Sequence, residues 1–188
     1  TGVQTCALPI CGLNGIDLSK KIVLLTCHRR ENWGEPMERI FRAVATLKKR
    51  NPEIEIVFPV HKNPLVRETA TRHLAGKKGI HLIEPLDYHP FSTLISKSYL
   101  VLTDSGGIQE EAPAVGKPVL VLRDTTERPE AVAAGTVKLV GTNSENMIAE
   151  TEALLRDEKR YQAMAMKKNP YGDGTASCRI AQILAKKL

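Results

Sequence analysis

The chain has few aromatic residues, and it has no long apolar run. Phenylalanine, tryptophan and tyrosine make up 4% of its 188 residues, and no basic stretch alternates with aromatics. Proteins that bind single-stranded nucleic acid combine positive charge with aromatic stacking, so we expect no nucleic acid among the partners of this chain. No apolar run approaches the roughly 20 residues of a membrane-spanning helix, so we also expect no membrane partner.

Cysteine is scarce, and its spacing gives no sign of a metal site. The four cysteines form no CxxC pair, and no histidine lies at metal-ligand spacing from them. This pattern predicts no metal site and fits a reduced, cytoplasmic setting. The first residues also lack the basic start and the long apolar core of a secretory signal peptide.

Three familiar motifs for catalysis and nucleotide binding are missing as well. There is no GxGxxG sequence of the kind that binds dinucleotides, and no glycine pair is followed by the Lys-Ser or Lys-Thr of a P-loop. No serine lies in a GxSxG sequence. A serine hydrolase triad therefore has no support.

The length and composition that are present fit one domain. Apolar residues make up 42% of the chain, which is enough for one sizeable core. Lysine and arginine number 27 against 21 acidic residues. This excess of positive charge favours anionic partners, but it is spread too widely to name one.

Residues 1–20 stand apart from the rest of the sequence. The chain begins with Thr1 rather than an initiator methionine, and residues 1–10 match no element that follows. We therefore interpret 1–20 as an N-terminal remnant or a non-native scar. The folded domain is then assigned to residues 21–188.

From Lys21 onward, apolar runs typical of buried strands alternate with helical patterns. Six strands are predicted, at 22–25, 54–58, 80–83, 99–102, 118–122 and 137–140. Helices between them are predicted to begin at Pro36, Pro64, Phe91, Ile108 and Pro129, and three more to cover 144–157, 158–168 and 175–187. The alternation predicts an α/β fold, a Rossmann-like parallel sheet with helices on both faces. Ligands of such folds bind outside the carboxyl ends of the strands.

The most informative segment is Asp-Ser-Gly-Gly at 104–107, between a predicted strand and a predicted helix. Glycines let the backbone approach a ligand closely, and the N–H groups that open a helix favour phosphate. Ser105 adds a hydroxyl donor, while the Glu110 and Glu111 carboxylates could accept from sugar hydroxyls. Taken alone, the segment fits an ordinary helix N-terminus with turn glycines equally well.

Polar side chains also follow four other predicted strands. His28 and Arg29 follow the first, where arginine could bind phosphate with two hydrogen bonds and histidine could donate or shuttle a proton. His61 follows the second, although a helix-capping role fits it equally well. Phe91 could pack against a base or belong to the core. Arg128 stands in a loop whose threonines and proline suit helix capping, which leaves the arginine unexplained.

One sheet edge would bring His28, Arg29, His61, Ser105 and Arg128 together, an arrangement that suits a diphosphate with a sugar at either end. Four motifs occur in order: His28-Arg29-Arg30-Glu31-Asn32, His61-x-Asn63-Pro64, the run 104–112 with sequence DSGGIQEEA, and Thr126-Glu127-Arg128-Pro129-Glu130. In these motifs the chain resembles the non-hydrolysing UDP-N-acetylglucosamine 2-epimerase family, from about residue 20 to its end. The resemblance implies the C-terminal half of a GT-B fold, in which two Rossmann-like domains face a cleft.

The resemblance also implies roles for particular residues. Those that would bind the uridine nucleotide are His28, Phe91, Ser105, Gly106, Gly107, Glu111 and Arg128. Among them Glu111 would take the ribose hydroxyls and Phe91 the base region, while Ser105, the glycine amides and Arg128 would hold the diphosphate. Arg29 and His61 match positions that touch a second, regulatory UDP-N-acetylglucosamine. His28 is the only candidate catalytic residue in the chain.

The family interconverts UDP-N-acetylglucosamine (UDP-GlcNAc) and UDP-N-acetylmannosamine (UDP-ManNAc) without metal or nicotinamide, so the resemblance implies no cofactor. UDP is eliminated and then re-added with the configuration at C2 inverted. The acid and base carboxylates come from an N-terminal domain that this sequence lacks, so we expect little or no turnover from these residues alone. A homodimer and a role in cell-envelope polysaccharide biosynthesis are expected of the intact protein. Two alternatives stay open: the donor-binding domain of a GT-B glycosyltransferase, and a non-catalytic nucleotide-sugar-binding module.

Overall fold

Six short parallel strands run through the centre of the fold. In a computed structural model, which describes residues 15–186, the strands are β1 (Lys21–Thr26), β2 (Ile54–Pro59), β3 (Ile80–Ile83), β4 (Leu100–Thr103), β5 (Val119–Val121) and β6 (Val137–Leu139). Their order across the sheet is β3-β2-β1-β4-β5-β6, and every neighbouring pair is parallel. This is the doubly wound order of a Rossmann fold, whose switch point lies between β1 and β4. The predicted Rossmann-like sheet is confirmed.

Helices connect the strands and cover both faces of the sheet. They are α1 (Glu35–Arg50), α2 (Pro64–Leu74), α3 (Tyr88–Lys97), α4 (Ile108–Ala114), α5 (Pro129–Ala134), α6 (Ser144–Arg156), α7 (Glu158–Ala165) and α8 (Ala176–Ala185). A short 3-10 helix lies at Arg30–Asn32. The predicted helix starts are within one residue of the observed ones, except that α3 begins three residues earlier than predicted. No helix in the described range is long and apolar enough to cross a membrane.

Alternate side chains of each central strand enter two separate apolar layers. Val23 and Leu25 of β1 pack into the layer that also holds much of α1, α2 and α6. Ile22 and Leu24 point the other way, into the layer shared with α3, α4 and α5. All four side chains are buried, as expected for a parallel sheet covered on both faces.

Helix α8 contributes no buried residue to either layer. Ile180, Ile183 and Leu184 lie on it, each more than half exposed. The helix is amphipathic, but its apolar side chains have no partner among the described residues that would bury them.

The domain boundary at residue 20 stays a prediction. Residues 1–14 lie outside the described part of the chain, so the structure says nothing about most of the segment assigned as a remnant. Residues 15–20 precede β1, and Lys20 donates from its side chain to Glu55 on β2 at 2.7 Å. That contact ties the end of the segment to the sheet.

Removing one ring from the larger apolar layer should cost much of the stability. Phe58 on β2 is fully buried, and its ring centroid lies 5.5 Å from that of Phe41 on α1. We expect Phe58→Ala to lower the free energy of unfolding by about 3–5 kcal/mol, because a cavity replaces the ring. Leu65→Ala, at an exposed position, should change it by less than about 1 kcal/mol. Urea unfolding of both variants checks this, and similar losses in the two would contradict the packing described.

Candidate functional site

The predicted site residues come from loops that meet at one edge of the sheet. His28 and Arg29 follow β1, His61 follows β2, Ser105 follows β4 and Arg128 precedes α5. The carboxyl ends of parallel strands share an edge, so these loops converge although they are far apart in sequence. The rings of His28 and His61 stack with centroids 5.4 Å apart and an interplanar angle of 13°.

A buried carboxylate ties the loop after β1 to the end of β4. Asp104 is fully buried, and its Oδ2 accepts hydrogen bonds from the backbone N–H groups of His28 and Arg29, both at 2.8 Å. The Asn32 side chain donates to the same oxygen at 3.1 Å and to the carbonyl of Leu122 at 3.2 Å. Three donors satisfy one oxygen and fix the path of the loop.

A chain of hydroxyl and amide contacts shapes the turn that leads into α4. The hydroxyls of Thr26 and Thr103 lie 2.6 Å apart, and Thr103 Oγ1 accepts from the N–H of Ser105 at 2.9 Å. Gln109 Nε2 donates to the Ser105 carbonyl at 3.2 Å, while its Oε1 accepts from the Thr126 hydroxyl at 2.6 Å. The glycine turn is therefore held from β1, β4 and the loop before α5.

The two glycines leave backbone donors open on a crowded surface. Within residues 15–186, the N–H groups of Gly106 and Gly107 donate to no other residue. Neither glycine has a positive φ, so their backbone conformation does not require glycine. The lack of space for a side chain is the better reason. A Cβ at Gly106 would lie 3.2 Å from Glu127 Oε1 and 3.5 Å from Arg29 Nη2. Because α4 has only seven residues, its helix dipole is small, and the N–H groups that remain open here belong to the loop.

Arg123 anchors two carboxylates beneath this surface. It is almost fully buried and forms ion pairs with Glu31 and Glu127. The other oxygen of Glu127 accepts from Arg29 Nη2 at 2.6 Å. The pKa of Glu127 is lowered, first by a hydrogen bond from its own backbone and then by Arg123 and Arg29. Glu127 is thus an ionised bridge between two arginines.

Arg128 has a carboxylate partner within the chain. Its Nε forms an ion pair with Glu110, and its Nη1 donates to the carbonyl of Glu127 at 3.0 Å. The side chain is about one third exposed, and solvent screening limits the strength of the pair. A ligand phosphate could therefore exchange with the carboxylate.

Glu111 faces a separate small cleft between α3 and α4. This cleft of about 180 Å³ is lined by Tyr88, Ser92 and Glu111 among others. Burial raises the pKa of Glu111, and the neighbouring Glu110 adds to the rise. Phe91 is partly buried against the apolar layer on this face, whereas Tyr88 is 72% exposed. The base contact of Phe91 stays a prediction.

His28, Arg29 and His61 line one open cleft of about 480 Å³, together with Trp33. The pKa of His28 is lowered, mainly because the ring is partly buried, while the charge of Asp104 acts in the opposite direction. The structure thus groups the two residues predicted for a second nucleotide with His28. Their assignment to a regulatory ligand stays a prediction.

The structure shows which of the predicted capping residues cap a helix. Asn63 caps α2, since its Oδ1 accepts from the N–H of Leu65 at 2.9 Å. His61 supports this turn by accepting from the Asn63 N–H at 3.1 Å, so both readings of His61 stand. Thr126 does not cap α5: it accepts from the N–H of Arg128, which is itself the N-cap residue and has no side-chain cap.

The sequence did not identify three residues that organise the site. Asp104, Gln109 and Arg123 bind no predicted ligand directly, but each joins two loops of the edge. The only sign of them in the sequence was a run of polar residues next to the glycines. That pattern does not show whether the side chains point into the fold or toward solvent.

Fold and site together define a Rossmann-like domain with a polar, arginine-lined cleft at the carboxyl edge of its sheet. Among the described residues, no group of three or more histidine, cysteine, aspartate or glutamate side chains could hold a metal ion. A profile of the UDP-N-acetylglucosamine 2-epimerase family matches residues 11–185. The chain belongs to this family.

Individual relatives agree with the profile. The UDP-N-acetylglucosamine 2-epimerase of Escherichia coli K12 is 54% identical over 169 residues, which are 90% of this chain and 45% of that protein. The one from Bacillus subtilis 168 is 54% identical over 164 residues, covering 87% of this chain and 43% of the relative. The chain therefore spans less than half the length of the curated relatives it matches.

Solved structures give the same result. A UDP-GlcNAc 2-epimerase from Neisseria meningitidis bound to UDP-GlcNAc is 51% identical, with a TM-score of 0.85 over 91% of this chain and 46% of that one. A complex of an S. aureus protein with UDP is 53% identical, with a TM-score of 0.84 over 88% and 45%. The C-terminal domain of a Francisella tularensis group 1 glycosyltransferase is 16% identical, with a TM-score of 0.63 over 78% and 81%. That last likeness concerns the fold alone and agrees with the C-terminal half of a GT-B fold.

Breaking the link between Gln109 and Thr126 should loosen the loop that carries Arg128. Thr126→Val removes a hydroxyl that both donates and accepts, so we expect a loss of about 1 kcal/mol in stability and faster exchange of the Arg128 amide. Thr125→Val, at the exposed neighbouring position, is the matched control and should leave that amide unchanged. Hydrogen exchange by NMR measures both, and equal protection of the amide in the two variants would remove Thr126 from the network.

Proposed function

We propose that this chain is the nucleotide-binding half of an epimerase that interconverts UDP-GlcNAc and UDP-ManNAc. The single observation that carries the proposal is the glycine turn, where within residues 15–186 the N–H groups of Gly106 and Gly107 donate to no other residue, at the same sheet edge as the loop that carries Arg128. Backbone donors and an arginine at one sheet edge suit a diphosphate. The relatives bound to UDP and UDP-GlcNAc support the same ligand class.

In this proposal, each predicted contact has a chemical role. Ser105, the glycine amides and Arg128 hold the diphosphate, and Glu111 accepts hydrogen bonds from the ribose hydroxyls. Phe91 borders the base, and His28 lies where the diphosphate meets the sugar. Arg29 and His61 would contact a second UDP-GlcNAc in the cleft that they share with His28.

The elimination step requires positive charge or hydrogen-bond donors next to UDP, which is the leaving group. When the bond between the sugar and the diphosphate breaks, negative charge develops on UDP, and fixed donors stabilise it in proportion to their preorganisation. The glycine turn meets this need because it is held from three sides. Elimination and re-addition of UDP then require no metal and no nicotinamide.

The remaining steps belong to the rest of the longer protein. Removal of the proton at C2 needs a base within hydrogen-bond reach of that carbon's proton. We propose that carboxylates outside this chain provide it, since the relatives are more than twice as long. We also propose that the intact protein is a homodimer that serves cell-envelope polysaccharide synthesis.

Family membership bears on the two alternatives in different ways. The glycosyltransferase alternative has only a likeness of fold at 16% identity, so no observation favours it. A non-catalytic nucleotide-sugar-binding module would bind UDP and show no turnover even within the longer protein. An assay of C2 epimerisation in that longer protein separates it from the enzyme.

Calorimetric titration with UDP tests the nucleotide site directly. We expect the 188-residue chain to bind UDP more tightly than UMP, which lacks the second phosphate, and more tightly than ADP, which has the wrong base. Circular dichroism confirms that the chain is folded. A folded chain that binds none of the three, or all three equally, would contradict the proposal.

Arg128→Ala should weaken UDP binding by about ten- to a hundred-fold, because a charged hydrogen bond to the diphosphate is lost. Arg50→Ala removes the same charge from the exposed end of α1 and serves as the control. Calorimetry at one salt concentration compares the two. Unchanged affinity in Arg128→Ala would remove this residue from the diphosphate site.

Glu111→Gln should weaken the binding of UDP but not of inorganic pyrophosphate, because the residue is assigned to the ribose alone. The substitution removes a charged acceptor and keeps the shape of the side chain. Parallel titrations with the two ligands measure the difference. If pyrophosphate binding fell by the same factor, the ribose assignment would be wrong.

A further inference from the structure

The ring of His28 lies between a buried carboxylate and an open cleft. Its Nδ1 is 3.4 Å from Asp104 Oδ1, slightly longer than a formed hydrogen bond. The side chain is 35% exposed and lines the cleft that also contains His61. The ring therefore has a buried carboxylate on its Nδ1 side, and its exposed part borders the open cleft.

The two oxygens of Asp104 differ in their surroundings. Oδ2 accepts from the N–H groups of His28 and Arg29 and from the side chain of Asn32. Oδ1 is fully buried and has no hydrogen-bond partner among residues 15–186. Since three donors hold Oδ2, the carboxylate is not free to turn, and Oδ1 stays directed at the histidine. Leaving a buried acceptor without a hydrogen-bond donor is costly, so a nearby N–H group that donates to Oδ1 is stabilised.

A neutral imidazole carries one hydrogen, on either Nδ1 or Nε2. The carboxylate accepts hydrogen bonds and donates none, so of the two neutral forms only the one with hydrogen on Nδ1 can donate to Asp104 Oδ1. Nε2 then carries no hydrogen, and its lone pair is free to accept a proton. Contacts of this kind are often long in unliganded sites and shorten when the ligand arrives.

We infer that Asp104 is a positioning residue, which fixes the His28 tautomer with hydrogen on Nδ1 and prepares Nε2 to take up a proton when a diphosphate binds. The diphosphate ligand in this inference rests on the proposed function, whereas the tautomer rests on the geometry of Asp104 and His28 alone. The proton comes from solvent and forms a bond to Nε2, and the resulting imidazolium donates to a phosphate oxygen. Asp104 exchanges no proton in this step, and the proton returns to solvent when the nucleotide leaves.

The other charged groups around the ring oppose this protonation. Arg29 and His61 each act to lower the pKa of His28, as burial does, and Asp104 is the group that acts to raise it. Cys27 lies against Asp104, and burial raises the pKa of its thiol, so this neighbour remains neutral. The balance at His28 therefore depends on the Asp104 carboxylate.

The tautomer can be measured in the unliganded wild-type chain. Long-range ¹H–¹⁵N NMR distinguishes the two nitrogens of each histidine, and His28→Gln identifies the signals of His28 by their loss. At a pH where the ring is neutral, we expect hydrogen on Nδ1. Hydrogen on Nε2 would overturn the inference, whether or not UDP binds.

Asp104→Asn tests the cause. An asparagine must turn its oxygen toward the two backbone N–H groups, which places its NH₂ group toward His28 and favours hydrogen on Nε2. We expect the tautomer to switch in this variant and to stay unchanged in Asn32→Ala, which weakens the same loop without touching Oδ1. An unchanged tautomer in a folded Asp104→Asn chain would overturn the inference. If that variant does not fold, the wild-type measurement decides.

The pH dependence of UDP binding provides the second readout. In the wild type, we expect affinity to rise at least five-fold as the pH falls through the ordinary range of histidine, and Asp104→Asn should lose most of that rise. A purely structural role would lower the affinity by the same factor at every pH, which would overturn the proton uptake. Absence of UDP binding to the wild type would contradict the proposed function and leave the tautomer result to stand on its own.

Discussion

The hydrogen bonds of one buried carboxylate hold the functional edge of this protein together. Asp104 directly follows β4, and it reaches across to the loop after β1, where its side chain accepts from two backbone N–H groups and from the Asn32 side-chain amide. A buried charge is tolerated only when donors satisfy it, so the carboxylate and the loop determine each other's position. The placing of His28, Arg29 and the glycine turn relative to one another follows from this contact.

The fold was predictable because its signals are local. Each strand is a short apolar run and each helix has one apolar face, so the parallel sheet could be derived from neighbouring residues alone. The organising contacts of the site are not local: Asp104 is 76 residues from His28, and Arg123 is 92 from Glu31. Composition shows that such residues are polar, but only the three-dimensional path of the chain shows that they are buried and paired. The early start of α3 was missed because Tyr88 is exposed and adds nothing to the apolar period.

The proposed function needs residues that this chain does not contain. The chain covers less than half of its relatives, and the apolar side chains of α8 find no cover among the described residues. The proposed nucleotide contacts all come from residues of this chain, whereas the base for the proton at C2 is proposed to lie outside it. On that proposal, binding and chemistry would be divided between two parts of a longer protein.

Arg29 and Arg128 each form an ion pair with a carboxylate of the chain. In the proposed function, a phosphate that contacts Arg128 would therefore exchange with Glu110, and a ligand at Arg29 would exchange with Glu127. A lone chloride could displace one carboxylate at most, and the displaced group would then repel it. A diphosphate carries more charge and could also accept from backbone N–H groups, so it would compensate better for a lost ion pair. The edge would in this way select anions by valence, and common salts would compete poorly for a site that is rich in arginine.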